Sequence, residues 1–313
     1  MISSAHHRKS RGAALIAVIV LISIVSLACI STLRVISFDA ELASAKIHGS
    51  RARQVAEMGI AVGTNSGITK RFDPLLHRMD QEAGEGYDVE IISEGGKFNI
   101  NFIIQQEDKE LLKSMFIKWG LELDDAQVVV DSLIDWSDPG DETQLNGAEV
   151  DFYKKEGRIN QPFNRPFYSL EEMSLVRGMN LIERVKPDWR EWFTIWSDGP
   201  LDVNEASSEL LAVAGDADTA RTDIVPETVR GPDGVLGTED DVPFQDAASA
   251  LDLMGLDPNA PEAARFTAAA PLNETVRIES TGFAEGAKRK ITVIVRNRAQ
   301  NPTLLERTEE IIP

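Results

Sequence analysis

Arg11-Gly12-Ala13-Ala14-Leu15-Ile16-Ala17-Val18-Ile19-Val20-Leu21-Ile22-Ser23-Ile24-Val25-Ser26-Leu27-Ala28-Cys29-Ile30-Ser31-Thr32-Leu33-Arg34 decides how this chain is read, because nothing between Arg11 and Arg34 is charged. As a helix, such a run crosses the ~30 Å hydrocarbon core of a bilayer. His6, His7, Arg8 and Lys9 precede it and no acid does, so the short N-terminus belongs on the cytoplasmic side and everything after Arg34 outside. A cleaved secretory signal and a plain signal anchor both fit these residues. An ordinary signal has a shorter apolar region and a small-x-small site on its far side. Here Ser31-Thr32-Leu33-Arg34-Val35-Ile36 continues the helical pattern.

Outward from this segment, the chain has 313 residues with 51 acidic and 32 basic side chains, a formal net charge of −19. Its 42% hydrophobic and 27% charged residues describe a globular body of one large or two smaller domains. The acidity repels phosphate backbones, so no nucleic-acid partner is expected. Cys29, the single cysteine, lies in the apolar run, which leaves the body without a disulfide or a cysteine zinc cluster.

From Phe38 to about Asn65 a helix continues, with Ala52, Val55, Ala56, Gly59, Ile60 and Val62 as a stripe fit to pack on a sheet. Tyr87–Ile92 and Lys97–Ile104 alternate around Gly95-Gly96 and predict a hairpin. Thr275–Ser280 and Lys290–Val295 predict a second. Between them lie helical stripes: Leu111, Leu112, Met115, Phe116 and Trp119, then Val129, Val130, Leu133 and Ile134. Asp124 with Gln127 and Ser169 with Glu172 predict helix starts, as does Asn204 before Leu210 and Leu211; Gly178 and Gly215 predict stops. The expectation is an α+β chain: a long N-terminal helix on a small antiparallel sheet with a large, mainly helical insertion. Its divisions are a leader at 1–12, a membrane segment at 13–33, helix and first hairpin at 34–106, insertion at 107–265, C-terminal hairpin at 266–297 and a frayed tail at 298–313.

Six carboxylates fall in the 17 residues from Asp135 to Asp151, with no Lys, Arg or His among them. Like charges held in one turn-rich loop repel, and a hard cation with six to eight oxygen ligands relieves that. Calcium suits such flexible geometry better than magnesium, although the spacing is not that of an EF-hand. A solvated acidic loop explains the same charges. The candidate ligands are Asp135, Asp138, Asp141, Glu149 and Asp151. A second acidic loop, Gly231 to Asp241, offers Asp233, Asp240 and Asp241, where a plain exposed loop is the simpler reading. Catalytic signatures are missing: no H-E-x-x-H, no G-x-S-x-G and no P-loop occur in the sequence.

The basic leader and Arg11-Gly12-Ala13-Ala14-Leu15-Ile16 resemble the prepilin processing site of type IV pilins and type II secretion pseudopilins. That resemblance implies cleavage by a prepilin peptidase after Gly12 and an N-methylated mature chain starting at Ala13. Most members carry a glutamate at the fifth mature position; this chain has Ala17. A carboxylate there is costly in the bilayer unless it meets the neighbouring subunit's N-terminus, and a tip subunit has no neighbour above it. The Asp135–Trp136 start and the Asn146-Gly147-Ala148-Glu149 end of the acidic segment resemble the calcium-binding stretch of the K-type minor pseudopilins. Asn164–Glu172, Val176–Met179 and Leu201–Ser207 resemble further blocks of that family.

Taken in order, these segments imply a non-enzymatic minor pseudopilin of the K type, in the type II secretion system. They imply a single-pass inner-membrane protein with a periplasmic body at the pseudopilus tip, beside I- and J-type minor pseudopilins and other pseudopilins, and in contact with inner-membrane lipid. There it would help to initiate assembly and export of folded proteins across the outer membrane. A minor pilin of a type IV pilus or competence system is an alternative. So is a membrane-anchored, metal-dependent periplasmic hydrolase, against which the missing nucleophile and base count.

Overall fold

The computed structural model describes residues 9–269 and 275–312, with the side chains of 9–13 left aside; Met1–Arg8 of the expected leader lie outside the described residues. One helix, α1 (Lys9–Thr64), runs for 56 residues, about 84 Å at 1.5 Å per residue. Residues 14–47 are exposed along it. Its later turns lie on a five-stranded antiparallel sheet of β1 (His77–Asp80), β2 (Glu85–Ser93), β3 (Val276–Ala284), β4 (Ala287–Arg296) and β5 (Thr303–Ile312), whose spatial order is the chain order.

The stripe expected on the helix is the contact surface. Ala52 and Ala56 are fully buried, and Gly59 and Gly63 face Ser280, Val89 and Ile278. The approach is closest at Gly282 of β3, where a Cβ would stand 2.1 Å from the Ala52 carbonyl oxygen and 2.5 Å from the Ala56 nitrogen. Val89, Ile91, Ile278, Ile291, Val293 and Val295 complete this core from alternate positions of the strands. At the far end of α1 the buried Arg298 donates to the carbonyls of Gly63 (2.6 Å), Asn65 (3.0 Å) and Ile68 (2.8 Å). It sets a positive charge against the negative end of the helix dipole.

Two strand expectations are corrected. Lys97–Ile104 does not return as a hairpin arm. Gly95 and Gly96 lie in a 3-10 turn, only Phe98–Asn99 is extended, and α2 (Ile100–Gln105) follows. The Asn99 side chain accepts from the Asn101 and Phe102 amides at 3.0 and 3.2 Å, and buried Ile100 and Ile103 are three apart. The apolar run is thus helical from its cap onward, and the hairpin partner of β2 is β1. Likewise the tail after Asn297 is not frayed. It forms β5 along β4, where Arg307 and Glu309 pair with Glu57 and Arg53 of α1. The C-terminal hairpin itself forms as expected, turning at Glu285-Gly286.

The insertion has its own core, from Phe98 to Phe266. It holds α2, α3 (Lys109–Lys118), α4 (Leu123–Ser137), α5 (Val150–Lys155), α6 (Leu170–Met173), α7 (Met179–Val185), α8 (Ser208–Ala214), α9 (Thr219–Thr222), α10 (Ile224–Val229) and α11 (Ala247–Met254). Trp136, Trp189 and Phe116 are fully buried in it. Three local readings change. Glu122, not Asp124, caps α4; Ser207, not Asn204, caps α8, while Asn204 exchanges hydrogen bonds with Phe244. Gly178, at φ 86°, precedes α7 instead of ending a helix, whereas Gly215 ends α8 as expected.

The insertion is fastened to the pilin-like part at several places, among them Trp196, whose ring nitrogen donates to Glu306 of β5 at 3.1 Å, and the two that follow. Glu94, fully buried at the end of β2, accepts from Thr194 of the insertion and from Arg277 of β3 at 2.8 Å. Just beyond α1, Lys70 pairs with Glu239 at 2.9 Å and Arg71 with Glu205.

Candidate functional site

The end of α4 delivers Asp135 and Trp136 into the insertion, and the loop that follows folds back over them. Asp135 is 0% exposed. Its carboxylate accepts from the Gln144 amide at 3.0 Å. Gly147 makes room for it, since a Cβ there would lie 1.9 Å from Asp135 Oδ2. This is the physical content of the Asn-Gly-Ala-Glu segment: the chain must pass within contact of a buried carboxylate. Arg177, from the segment before α7, holds the same turn by donating to the carbonyls of Asn146 (3.3 Å) and Gly147 (2.8 Å).

Glu149 closes the loop as the cap of α5 and is 5% exposed. Its Oε2 accepts weakly from the Val150 amide at 3.3 Å, while Oε1 is buried without a hydrogen-bond partner. Burial first, then the neighbouring charges of Asp135, Asp138 and Asp141, push its carboxyl up to about 7. Asp135 is raised too, mainly by burial, against the pull of its backbone donors. Four of the five candidate ligands therefore share one electrostatic neighbourhood. Asp138 accepts from the Gly140 amide at 2.9 Å. Asp141 is exposed at the loop surface. The fifth, Asp151, is exposed in the first turn of α5.

The donor set fits a hard cation: buried carboxylate oxygens, one of them orphaned, and a loop made of carbonyl groups. Among the described residues, however, no three His, Cys, Asp or Glu side chains converge as a ready cage. A cation here would have to draw on amide and backbone oxygens as well.

Three participants escaped the sequence reading. Asp131 accepts from the Asn146 backbone and side chain (3.1 and 3.2 Å) and anchors the loop from α4. Arg177 was visible only as part of a resembling block. Asn164, 23 residues beyond Asp141, comes to the loop from another segment, and nothing in its own charge marks it.

The second acidic loop is organised by its own backbone. Asp233 accepts from Val235 (2.7 Å), Asp240 from the Asp233 amide (3.0 Å) and Asp241 from Gly237 (2.7 Å). Hydrogen bonds from Thr238 and Asp233 hold the Asp240 carboxyl below its ordinary range. The loop borders a cavity of about 240 Å³ lined also by Lys70, Arg71 and Phe72. Its acids are spent largely on turns and on docking to the segment after α1.

A long helix whose exposed, apolar first half leads into a half packed on an antiparallel sheet defines a pilin-like fold, here with a helical insertion and an oxygen-rich loop. Residues 96–187 match the family model "Type II secretion system (T2SS), protein K", a span within the insertion and its entry. The fold is similar to a chain of the crystal structure of the GspK-GspI-GspJ complex from the enterotoxigenic Escherichia coli type 2 secretion system. That match has a TM-score of 0.60 and 14% identity, covering 88% of this chain and 98% of the other. No curated protein matches the sequence. Over residues 96–187 the chain thus resembles protein K of type II secretion in sequence, and over most of its length it shares the fold of a chain of that complex.

Proposed function

We propose that this chain is a non-enzymatic subunit at the tip of the pseudopilus, assembling with I- and J-type minor pseudopilins and the other pseudopilins. There it helps initiate assembly and the export of folded proteins. One observation carries this: the insertion is fastened to Lys70 and Arg71, immediately past the C-terminal end of α1 and so at the end remote from the apolar segment. Bulk at that end leaves the apolar helix free to leave the bilayer and pack among other helices. It obstructs a further subunit stacking above. Ala17, exposed on α1, leaves no buried carboxylate to be neutralised from above.

Prepilin peptidase cuts between Gly12 and Ala13, and the mature helix stays in the inner membrane among its lipids with the body in the periplasm. Calcium occupies the 135–149 loop through a subset of Asp135, Asp138, Asp141 and Glu149, with Asp151 at its margin. It supplies positive charge to carboxylates that otherwise repel. Asp233, Asp240 and Asp241 are a weaker candidate for a second ion. Co-expression with candidate I- and J-type subunits tests the reading. A stable complex should co-purify, and Gly12→Trp should leave the leader attached. A chain that matures normally with Gly12→Trp, or never associates with either partner, would contradict it.

A further inference from the structure

We infer that Asn164 is a neutral oxygen ligand of the cation site, tying the 138–149 loop to the 161–168 segment; this rests on the calcium reading above. Three observations converge on Asn164. Its backbone sits at φ 49°, a left-handed conformation that few residues other than glycine adopt and that Asn tolerates best. Its backbone amide donates to the Trp136 carbonyl at 3.0 Å, which fixes it beside Asp135 in the chain. Its side-chain amide donates through Nδ2 to the Gly140 carbonyl at 2.9 Å and to Asp141 Oδ1 at 3.4 Å.

Both of those partners only accept, so a reversed amide would set oxygen against oxygen. The orientation is therefore forced, and it leaves Oδ1 buried with no hydrogen-bond partner. Glu149 Oε1, where the loop closes onto α5, is in the same state. Each of these buried, unpartnered oxygens lacks a positive partner in a loop crowded with carboxylates, which is what a divalent ion supplies. An amide ligand adds coordination without adding to the repulsion. The segment carrying Asn164 is otherwise stapled to the insertion by Phe163 against Trp136 (ring centroids 5.1 Å) and by Arg165 on Glu172 (3.0 Å). Cation binding would therefore close the loop onto a braced wall.

Terbium, a luminescent stand-in for calcium, reports binding through the buried Trp136. Full-length protein in detergent should show saturable terbium emission on tryptophan excitation, displaced by calcium. Asn164→Gly keeps the backbone conformation accessible while deleting the amide, and should weaken both ions by at least about tenfold. Asn164→Asp keeps a ligand oxygen but loses the Nδ2 donor and adds charge beside Asp141, so its affinity should fall less than that of Asn164→Gly. In the wild type, needing no variant, calcium should slow hydrogen exchange at 161–165 together with 138–149. Wild-type affinity in Asn164→Gly, or protection confined to 135–151, overturns the ligand role while Glu149→Gln still abolishes binding and the calcium reading stands. Absence of any calcium-displaceable emission in the wild type overturns both.

Discussion

Gly282→Ala adds one methyl group at the tightest point between α1 and the sheet, and its cost follows from the distances. A Cβ at 2.1 Å from the Ala52 oxygen and 2.5 Å from the Ala56 nitrogen falls more than an ångström short of ordinary contact. Both obstructing atoms are backbone, so no rotamer change relieves them. The helix must lift from β3, and Ala52, Ala56, Gly59 and Gly63 lose their fit to Val89, Ile278 and Ser280. Overpacking of this kind costs about 1–3 kcal/mol. The lost packing along the stripe adds to it, so a net loss of about 3 kcal/mol is expected. Gly49→Ala is the contrasting variant on the same helix. Its Cβ would meet only the flexible guanidinium of Arg289, at 3.1 Å. Replacing a mid-helix glycine should then stabilise by up to about 1 kcal/mol. Urea unfolding of the body from residue 38 reads both as shifts in midpoint at constant slope. If Gly282→Ala unfolds at the wild-type midpoint, or moves in the same direction as Gly49→Ala, helix and sheet are not in the contact described.

Arg298→Leu should lower stability by about 3 kcal/mol in thermal melts, because three carbonyls at and just past the end of α1, two of them buried, lose their donor at once; a wild-type melt would show the guanidinium to be dispensable. Truncation after Asn297 removes β5 together with Arg298, bares the β4 edge and leaves Arg53 and Glu57 with only each other. It should drive the body toward aggregation, read by light scattering, whereas a frayed tail would be lost without effect. The Glu149 carboxyl, raised to about 7 from an ordinary value of 4.5, favours the protonated native state, so its contribution is full below about pH 4.5 and is lost as pH rises through about 7. In EDTA the body should therefore be less stable at pH 8 than at pH 5 by up to about 3 kcal/mol from this group, and Glu149→Gln should flatten that part of the profile. Parallel profiles for the two proteins would remove the buried carboxylate from the account.

Local patterns were legible wherever one interaction dominated. The uncharged run had to be a helix of membrane length, because a bilayer accepts no unsatisfied backbone. The small-residue stripe of α1, the stripes of α3 and α4 and the β3–β4 hairpin each repeat at the period of their element. Lys97–Ile104 misled because an alternating run and a helix entered through an Asn cap read alike over eight residues. The Asn99 side chain, bonded to two amides, settled it. Asn204 failed as a cap for a similar reason: its amide found a better pair of partners in Phe244, forty residues on.

By itself the sequence determined the apolar helix of membrane-spanning length, the α+β class, the extent of the acidic loop and the carboxylates worth suspecting. Each of these depends on neighbours in the chain. Tertiary structure alone decided that Thr303–Ile312 completes the sheet, since an edge strand exists only if an adjacent strand accepts it. It alone made Gly147 and Gly282 obligatory through what approaches them from elsewhere. It also brought Asn164 and Arg177 to a loop that ends before either occurs. Burial did the rest: Asp135 and Glu149 are chemically ordinary acids in the sequence, and withdrawal from water beside other carboxylates is what makes them a candidate site.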